Sequence, residues 1–81
     1  MSEPDVKDLV LLVARALVDR ADEVKVDEIT GQRGTVLQLS VAKEDIGKVI
    51  GKDGRTAQAI RAVLSAAGSR SGRRVQLDIV D

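Results

Sequence analysis

The sequence contains no cysteine, no histidine and no aromatic residue. Without cysteine, the chain has neither a disulfide framework nor a thiolate metal site. Without histidine, it lacks the commonest metal ligand and the commonest acid–base group at neutral pH. Without aromatic rings, it has no flat platforms on which bases could stack. These absences argue against catalysis and metal binding, and we expect no catalytic residue, no metal site and no cofactor.

Long hydrophobic runs are absent as well. The longest unbroken apolar segment covers residues 9–14, which is far too short to cross a bilayer. The first five residues lack the basic start of a signal peptide. We therefore expect a cytoplasmic protein that does not contact a membrane. A chain of 81 residues, 43% of them apolar, suits one domain with one hydrophobic core, and we assign residues 1–81 to it.

The net charge is zero, but the charges are unevenly distributed along the chain. Residues 1–45 carry ten acidic and six basic side chains, a net charge of −4. Residues 46–81 carry three acidic and seven basic side chains, a net charge of +4. Because a polyanion responds to the local field, the second half is the candidate partner for nucleic acid. Ordinary solvated surface charges remain the alternative.

Two glycines three positions apart, Gly51 and Gly54, stand directly before a predicted amphipathic helix. Glycine lacks a Cβ, so the backbone of another molecule can approach it closely. The first turn of a helix presents unpaired N–H groups and the positive end of a dipole, which together attract an anion. Lys52 adds a full positive charge between the glycines. The segment predicts a phosphate-binding site wide enough for a nucleic-acid backbone.

A nucleotide-hydrolysing enzyme is the alternative for these glycines. Its phosphate-binding loop has the pattern G-x-x-x-x-G-K-[ST]. Here Gly47 precedes Gly51 by only four positions, and Asp53 stands where a hydroxyl would hold magnesium. No histidine is available to activate a serine, and Glu44-Asp45 fits the first turn of a helix better than a metal site. We expect a protein that is not an enzyme and has no small-molecule substrate.

Hydrophobic spacing predicts the element order α-β-β-α-α-β. The predicted elements are a helix that Ser2 caps and that runs through about Ala21, a hairpin over 24–41 with a turn at 30–34, a helix over 43–50, a helix over 55–68, a flexible basic loop over 69–74, and a strand over 75–79. Ile29 breaks the alternation of the first strand and predicts a bulge or its end. The buried stripe of the last helix is predicted to be Ala57, Ile60, Val63, Leu64 and Ala67, with Gly68 as its stop. The last strand should lie parallel to one strand of the hairpin.

Residues 46–60 resemble the core signature of the KH domain. They contain an apolar pair, then Gly-x-x-Gly, then an apolar residue one helical turn further on. The resemblance covers nearly the whole chain, whose size and layout are similar to those of the small stand-alone bacterial KH-domain RNA-binding proteins. It implies an α+β fold, a single type II KH domain. In that fold, helices pack on one face of a three-stranded mixed sheet.

The resemblance also implies an RNA site. The loop would clamp the backbone of about four nucleotides of single-stranded RNA, with the bases in a groove between the helix pair and the sheet. The implied RNA-binding residues are Ile46, Lys48, Val49, Ile50, Gly51, Lys52, Asp53, Gly54, Arg55 and Thr56. Strand 36–41 would line the groove, and Arg61 with loop 70–74 would extend the positive surface. Asp53 would either point away from the RNA or cap the following helix.

Partners are the last implication of the resemblance. Small KH proteins of this type pair with themselves, with a larger KH-containing RNA-binding protein, or with both. The resemblance also implies an RNA-chaperone role in post-transcriptional regulation, linked to cell shape and division. A protein-interaction module with little RNA binding of its own is the alternative, with apolar residues 60–64 as its contact surface.

Overall fold

The computed structural model describes residues 6–32, 34–70, 72 and 74–80. The elements, in chain order, are α1 (Val6–Leu17), β1 (Lys25–Gly31), β2 (Gly34–Ser40), α2 (Ile46–Ile50), α3 (Arg55–Arg70) and β3 (Val75–Val80). Single 3₁₀ turns occur at Ala21–Glu23, Lys43–Asp45 and Lys52–Gly54. The predicted α-β-β-α-α-β order is confirmed. The predicted cap at Ser2 lies outside the described residues.

The three strands form one mixed sheet in the order β1-β2-β3, so β2 is central. β1 pairs antiparallel with β2 in an unbroken register from Lys25↔Ser40 to Gly31↔Gly34. β2 pairs parallel with β3 from Thr35↔Val75 to Ser40↔Val80. The parallel pair is the one expected, because the connection through two helices is long enough to return the chain to the same end of the sheet.

Alternation along the strands gives the sheet an inner face, packed by helices, and an outer face on the opposite side. Leu37 and Leu39 of β2 point inward and are completely buried, and Leu77 of β3 is buried beside them. They form one core with Val10 of α1 and Leu64 of α3. Each fully buried Leu or Val side chain contributes about 1.5–3 kcal/mol to folding. The helices therefore cover a single face, as predicted.

Ile29 is not a bulge and does not end β1. The register runs through it to Gly31, and Ile29 lies opposite Val36 on the outer face with 51% of its surface exposed. The prediction was wrong because it assigned an apolar side chain to the core. On the outer face, Ile29 lies opposite Val36, and this cross-strand pair stabilises the sheet although Ile29 is not in the core.

Two helices end at positions other than those predicted. α1 stops at Leu17, four residues early, and the N–H of Arg20 donates to the Asp45 carboxylate at 3.0 Å instead of continuing the helix. α3 runs past Gly68, which is buried inside the helix, and ends at Arg70. The turn comes at Gly72, whose φ is 73° and whose N–H donates to the Ser69 carbonyl.

The buried stripe of α3 differs from the prediction at positions 63, 67 and 68. Ala57, Ile60 and Leu64 are buried as predicted, and Gly68 is buried as well. Ala67 is only half-buried and Val63 is 53% exposed. Residues 57, 60, 64 and 68 repeat at three and four positions and follow one side of the helix, which leaves position 63 outside it. Val63 therefore belongs to the surface of the molecule, with consequences described below.

Candidate nucleic-acid interface

A short left-handed bend, Gly51–Gly54, joins α2 to α3. Gly51, Asp53 and Gly54 have φ angles of 78°, 58° and 75°. The N–H of Gly51 donates to the Gly47 carbonyl at 2.9 Å, and the N–H of Gly54 donates to the Gly51 carbonyl at 3.1 Å. Glycine adopts positive φ at little cost, and aspartate tolerates it better than most residues. The chain thus reverses in four residues and exposes the loop at the N-terminus of α3.

The two glycines have different roles. A Cβ on Gly51 would lie 2.1 Å from the Thr56 hydroxyl and 2.6 Å from the Thr56 Cβ, so Gly51 packs the loop directly against the first turn of α3. A Cβ on Gly54 would have no neighbour within 4 Å. Gly51 is therefore required by the protein's own packing. Gly54 leaves an open side at which another backbone can approach.

The charged side chains of the loop are exposed and unengaged. Lys52, Asp53 and Arg55 make no ion pair and no side-chain hydrogen bond with any other residue that the structure describes. The Asp53 carboxylate consequently does not cap α3. Two cations and one anion border a helix N-terminus, a combination that attracts a phosphate group.

The apolar residues expected at the groove separate into two groups. Ile50 is 37% exposed and Ile46 is half-buried, one turn apart on α2. These two side chains offer apolar surface beside the loop. Val49, which the sequence also places at the groove, is completely buried and belongs to the hydrophobic core. Its side chain has no surface left for RNA and serves to anchor α2.

Lys48 is not the free cation that the sequence predicts. Its ammonium group contacts the Asp19 carboxylate and lies 3.1 Å from an oxygen of Asp45. The hydrogen bonds to Asp19 and then to Asp45 raise the pKa of Lys48 above its ordinary 10.5. Two carboxylates more than compensate one ammonium, so Lys48 adds no positive surface next to the loop.

Asp45 is the residue that sequence reasoning missed. Only 2% of it is exposed, and its carboxylate accepts hydrogen bonds from the Arg20 amide and from Lys48. Burial alone would raise the pKa of Asp45, but these hydrogen bonds outweigh it and the pKa lies below the ordinary 3.8. Lys48 three positions later was the only local signal. No group of acidic side chains among the described residues could hold a metal ion.

Strand 36–41 does not line a groove on the helix side. Leu37 and Leu39 are completely buried in the core. The alternating side chains of this strand point to the outer face; they are Val36, Gln38 and Ser40. β3 is the strand that packs against α3. Arg61 of α3 donates from Nε to the Leu77 carbonyl of β3 at 3.4 Å, so its side chain lies across this strand.

The basic segment 70–74 begins inside α3 rather than after it. Arg70 is the last residue of that helix, and Arg74 precedes β3; both are exposed. The Arg74 carbonyl accepts a hydrogen bond from the Thr35 N–H at 2.7 Å. The flexible loop predicted over 69–74 is thus helical at 69 and 70. Residues 71 and 73 lie outside the described part of the chain.

A second surface lies between α1 and α3. Apolar side chains line a groove of about 240 Å³ there, among them Leu9, Val13, Leu17 and Val63. Leu12 of α1 is 68% exposed. Over the residues that the structure describes, no helix is long and apolar enough to cross a membrane. The groove between α1 and α3 is thus an apolar patch that is partly exposed on the surface of the molecule.

Comparison with known proteins agrees with the resemblance drawn from the glycine loop. Residues 7–79 match the family described as KhpA/KhpB, KH domain. Three relatives carry the name "RNA-binding protein KhpA". The Borreliella burgdorferi protein is 46% identical over 74 residues, 91% of this chain and 90% of its own. The Clostridium acetobutylicum protein is 50% identical over 74 residues, which are 91% of this chain and 99% of its own. The Treponema pallidum protein is 51% identical over 75 residues, which are 93% of this chain and 94% of its own.

Proposed function

Because this chain belongs to the KhpA/KhpB family of KH domains, a family of RNA-binding proteins rather than enzymes, we propose that it binds RNA through the Gly51–Gly54 loop. In this proposal the loop clamps the backbone of a short single-stranded RNA of about four nucleotides. Residues 1–81 act as one type II KH domain, in the cytoplasm.

The observation that carries the proposal is the open side of Gly54 at the N-terminus of a 16-residue helix. A phosphate placed there meets the positive end of the α3 dipole. Lys52 and Arg55 flank the same point, and neither is engaged by a described carboxylate. The site thus combines close approach, a helix N-terminus and free positive charge.

The bases have only modest contacts available. Ile46 and Ile50 supply apolar surface beside the loop, and the Arg61 side chain contacts the Leu77 carbonyl of β3. No aromatic ring can stack on a base, which removes about 1–3 kcal/mol per base relative to proteins that have one. We expect binding by one copy in the micromolar range, steeply weakened by salt.

Pairing is the second part of the proposal. The groove between α1 and α3 supports association with a second copy of this chain, or with a larger KH-containing RNA-binding protein. Two linked RNA sites raise the effective concentration at each site, which benefits a weak binder most. The resemblance extends this to post-transcriptional regulation linked to cell shape and division. A pairing module with little RNA affinity is the alternative.

The decisive experiment reverses the charge of Lys52. RNA binding of the Lys52→Asp variant is measured by fluorescence anisotropy with a labelled single strand of about five nucleotides. Lys43→Asp is the matched control, because Lys43 is exposed, carries the same charge and lies outside the loop. We expect Lys52→Asp to abolish binding and Lys43→Asp to weaken it by less than about threefold. Equal affinities of the two variants would refute the clamp and favour the pairing module.

A further inference from the structure

We propose a second RNA contact on the outer face of the sheet, at the hairpin end, which takes one nucleotide together with its phosphate. The contact rests on the RNA-binding function proposed above and deepens it. A groove of about 570 Å³ opens there, called the hairpin groove, and its lining includes Ile29, Gln32, Val36, Arg74 and Gln76. Small-molecule sites typically fall in the range of about 300–1,000 Å³, so the hairpin groove has room for a nucleotide.

The hairpin groove is held by two backbone contacts rather than by loose side chains. The Thr35 N–H donates to the Arg74 carbonyl at 2.7 Å. A Cβ on Gly34, whose φ is 135°, would lie 2.3 Å from that same carbonyl. The absence of a side chain at Gly34 thus brings the hairpin directly against the start of β3. Arg74 is fixed beside β2 as a result.

Three neighbouring strands build the floor of the hairpin groove. Ile29 of β1, Val36 of β2 and Gln76 of β3 are register partners and form one row across the outer face. The exposed Ile29 and half-buried Val36 side chains offer an apolar surface for the face of a base. The amides of Gln76 and Gln32 each carry donors and an acceptor, which match the edges of a base.

Charge decides between a nucleotide and other occupants. Arg74 is exposed at the rim, and its guanidinium can hold a phosphate through two parallel hydrogen bonds. None of the described residues that line the hairpin groove is acidic. An apolar peptide carries no anion for Arg74. A nucleotide brings a phosphate for Arg74 and base edges for the two amides.

The hairpin groove and the glycine loop lie at opposite ends of α3. The loop directly precedes Arg55, and Arg74 follows the last residue of α3 by four positions. A helix of 16 residues is about 24 Å long, and the hairpin groove lies on the face of the sheet opposite the helices, so an RNA needs several nucleotides beyond those at the loop to occupy both sites. An RNA that fills only the loop cannot reach the hairpin groove. A longer RNA can occupy both, and the second contact then acts at high effective concentration.

The first test compares two RNA lengths. Anisotropy is measured with oligouridylates of about five and about fifteen nucleotides. Arg74→Glu should weaken binding of the longer RNA by about tenfold and change the shorter one by less than about twofold. Arg70→Glu is the matched control, since Arg70 is also exposed and near the end of α3 but does not line the hairpin groove. Equal losses for the two variants, or equal losses on both lengths, would overturn the proposal.

The second test observes the hairpin groove itself. Methyl NMR signals of Ile29 and Val36 are followed while uridine monophosphate is titrated into Lys52→Asp. Saturable shifts that disappear when Arg74→Glu is added support the groove. Shifts confined to the loop, or shifts at the groove with an acidic peptide but not with the nucleotide, refute it. The loop is judged separately by binding of the short RNA to Lys52→Asp, so failure of one site does not hide the state of the other.

Discussion

The Asp45 carboxylate accepts a hydrogen bond from the backbone N–H of Arg20 at 3.0 Å, across 25 positions of the chain. This contact fastens the connection after α1 to the start of α2. Lys48 completes it from the next turn of α2, at 3.1 Å from the other carboxylate oxygen. The helix that leads into the glycine loop is thus positioned by a buried charge with two partners.

Acid should destabilise the protein through Asp45. Because the pKa of Asp45 is lowered in the folded state, its contribution is present above the ordinary 3.8 and is lost as the pH falls through the folded pKa. Lys48 behaves in the opposite sense: its raised pKa means a contribution that is present below 10.5 and lost as the pH rises through the folded value. Melting temperatures across the pH range should therefore decline at both ends.

The Asp45→Asn variant tests whether Asp45 causes the loss of stability at low pH. We expect a lower melting temperature at neutral pH and a flatter decline below about pH 4, since the amide cannot titrate. Glu44→Gln serves as the control, because Glu44 is exposed and holds only a 3.8 Å ion pair with Arg20. If the melting temperatures of Asp45→Asn and the parent protein fell equally steeply below about pH 4, Asp45 would not be the group responsible.

Lys48 of α2 and Lys52 of the glycine loop should contribute differently to RNA binding. Lys52→Met removes a free cation and should weaken RNA binding by about tenfold, with a shallower dependence on salt. Lys48→Met removes a cation already held by Asp19 and Asp45, and should change the affinity by less than about threefold. It should instead lower the melting temperature. Anisotropy at two salt concentrations, together with thermal unfolding, checks both variants; a larger affinity loss for Lys48→Met would overturn the distinction.

Alanine substitutions should separate the roles of the two loop glycines. Gly51→Ala forces a Cβ onto Thr56 and should cost more than about 2 kcal/mol of stability. Gly54→Ala meets no atom and should cost only about 1–2 kcal/mol for its positive φ. It should nevertheless weaken RNA binding, because the methyl group occupies the side at which the RNA backbone approaches. Denaturant unfolding and anisotropy measure the two effects.

Gly47→Ala is the control for both glycine variants. Gly47 lies inside α2, and a Cβ there meets nothing within 4 Å. The change should raise stability by about 0.5–1 kcal/mol through helix propensity and leave RNA binding unchanged. Unaltered RNA affinity of Gly54→Ala would count against the clamp.

Self-association should depend on the exposed valine of α3. Val63→Asp places a charge in the groove between α1 and α3, and we expect it to convert a dimer into a monomer in sedimentation experiments. Folding should persist because Val63 is already 53% exposed. Ala62→Asp is the matched control, an exposed neighbour outside that groove. An unchanged mass for Val63→Asp would exclude this surface as the contact.

The sequence pattern predicted those features of the fold that depend on residues close together in the chain. Alternation fixed β3 and the hairpin, and the spacing of Gly51 and Gly54 marked the loop, because each depends on residues close in sequence. Contacts between distant segments escaped prediction. Nothing near Asp45 signals that Arg20 will lie against it, and nothing near Lys48 signals Asp19. Whether Ile29 or Val63 is buried likewise depends on which neighbouring element covers it.

The central position of β2 has a consequence for the order in which the chain folds. β2 meets β1 through a local hairpin, but its other edge pairs Thr35 with Val75, forty positions later. Closing a short loop costs less chain entropy than closing a long one, so the hairpin forms early and the parallel pair late. During synthesis, Leu37 and Leu39 therefore remain only partly covered until β3 emerges from the ribosome.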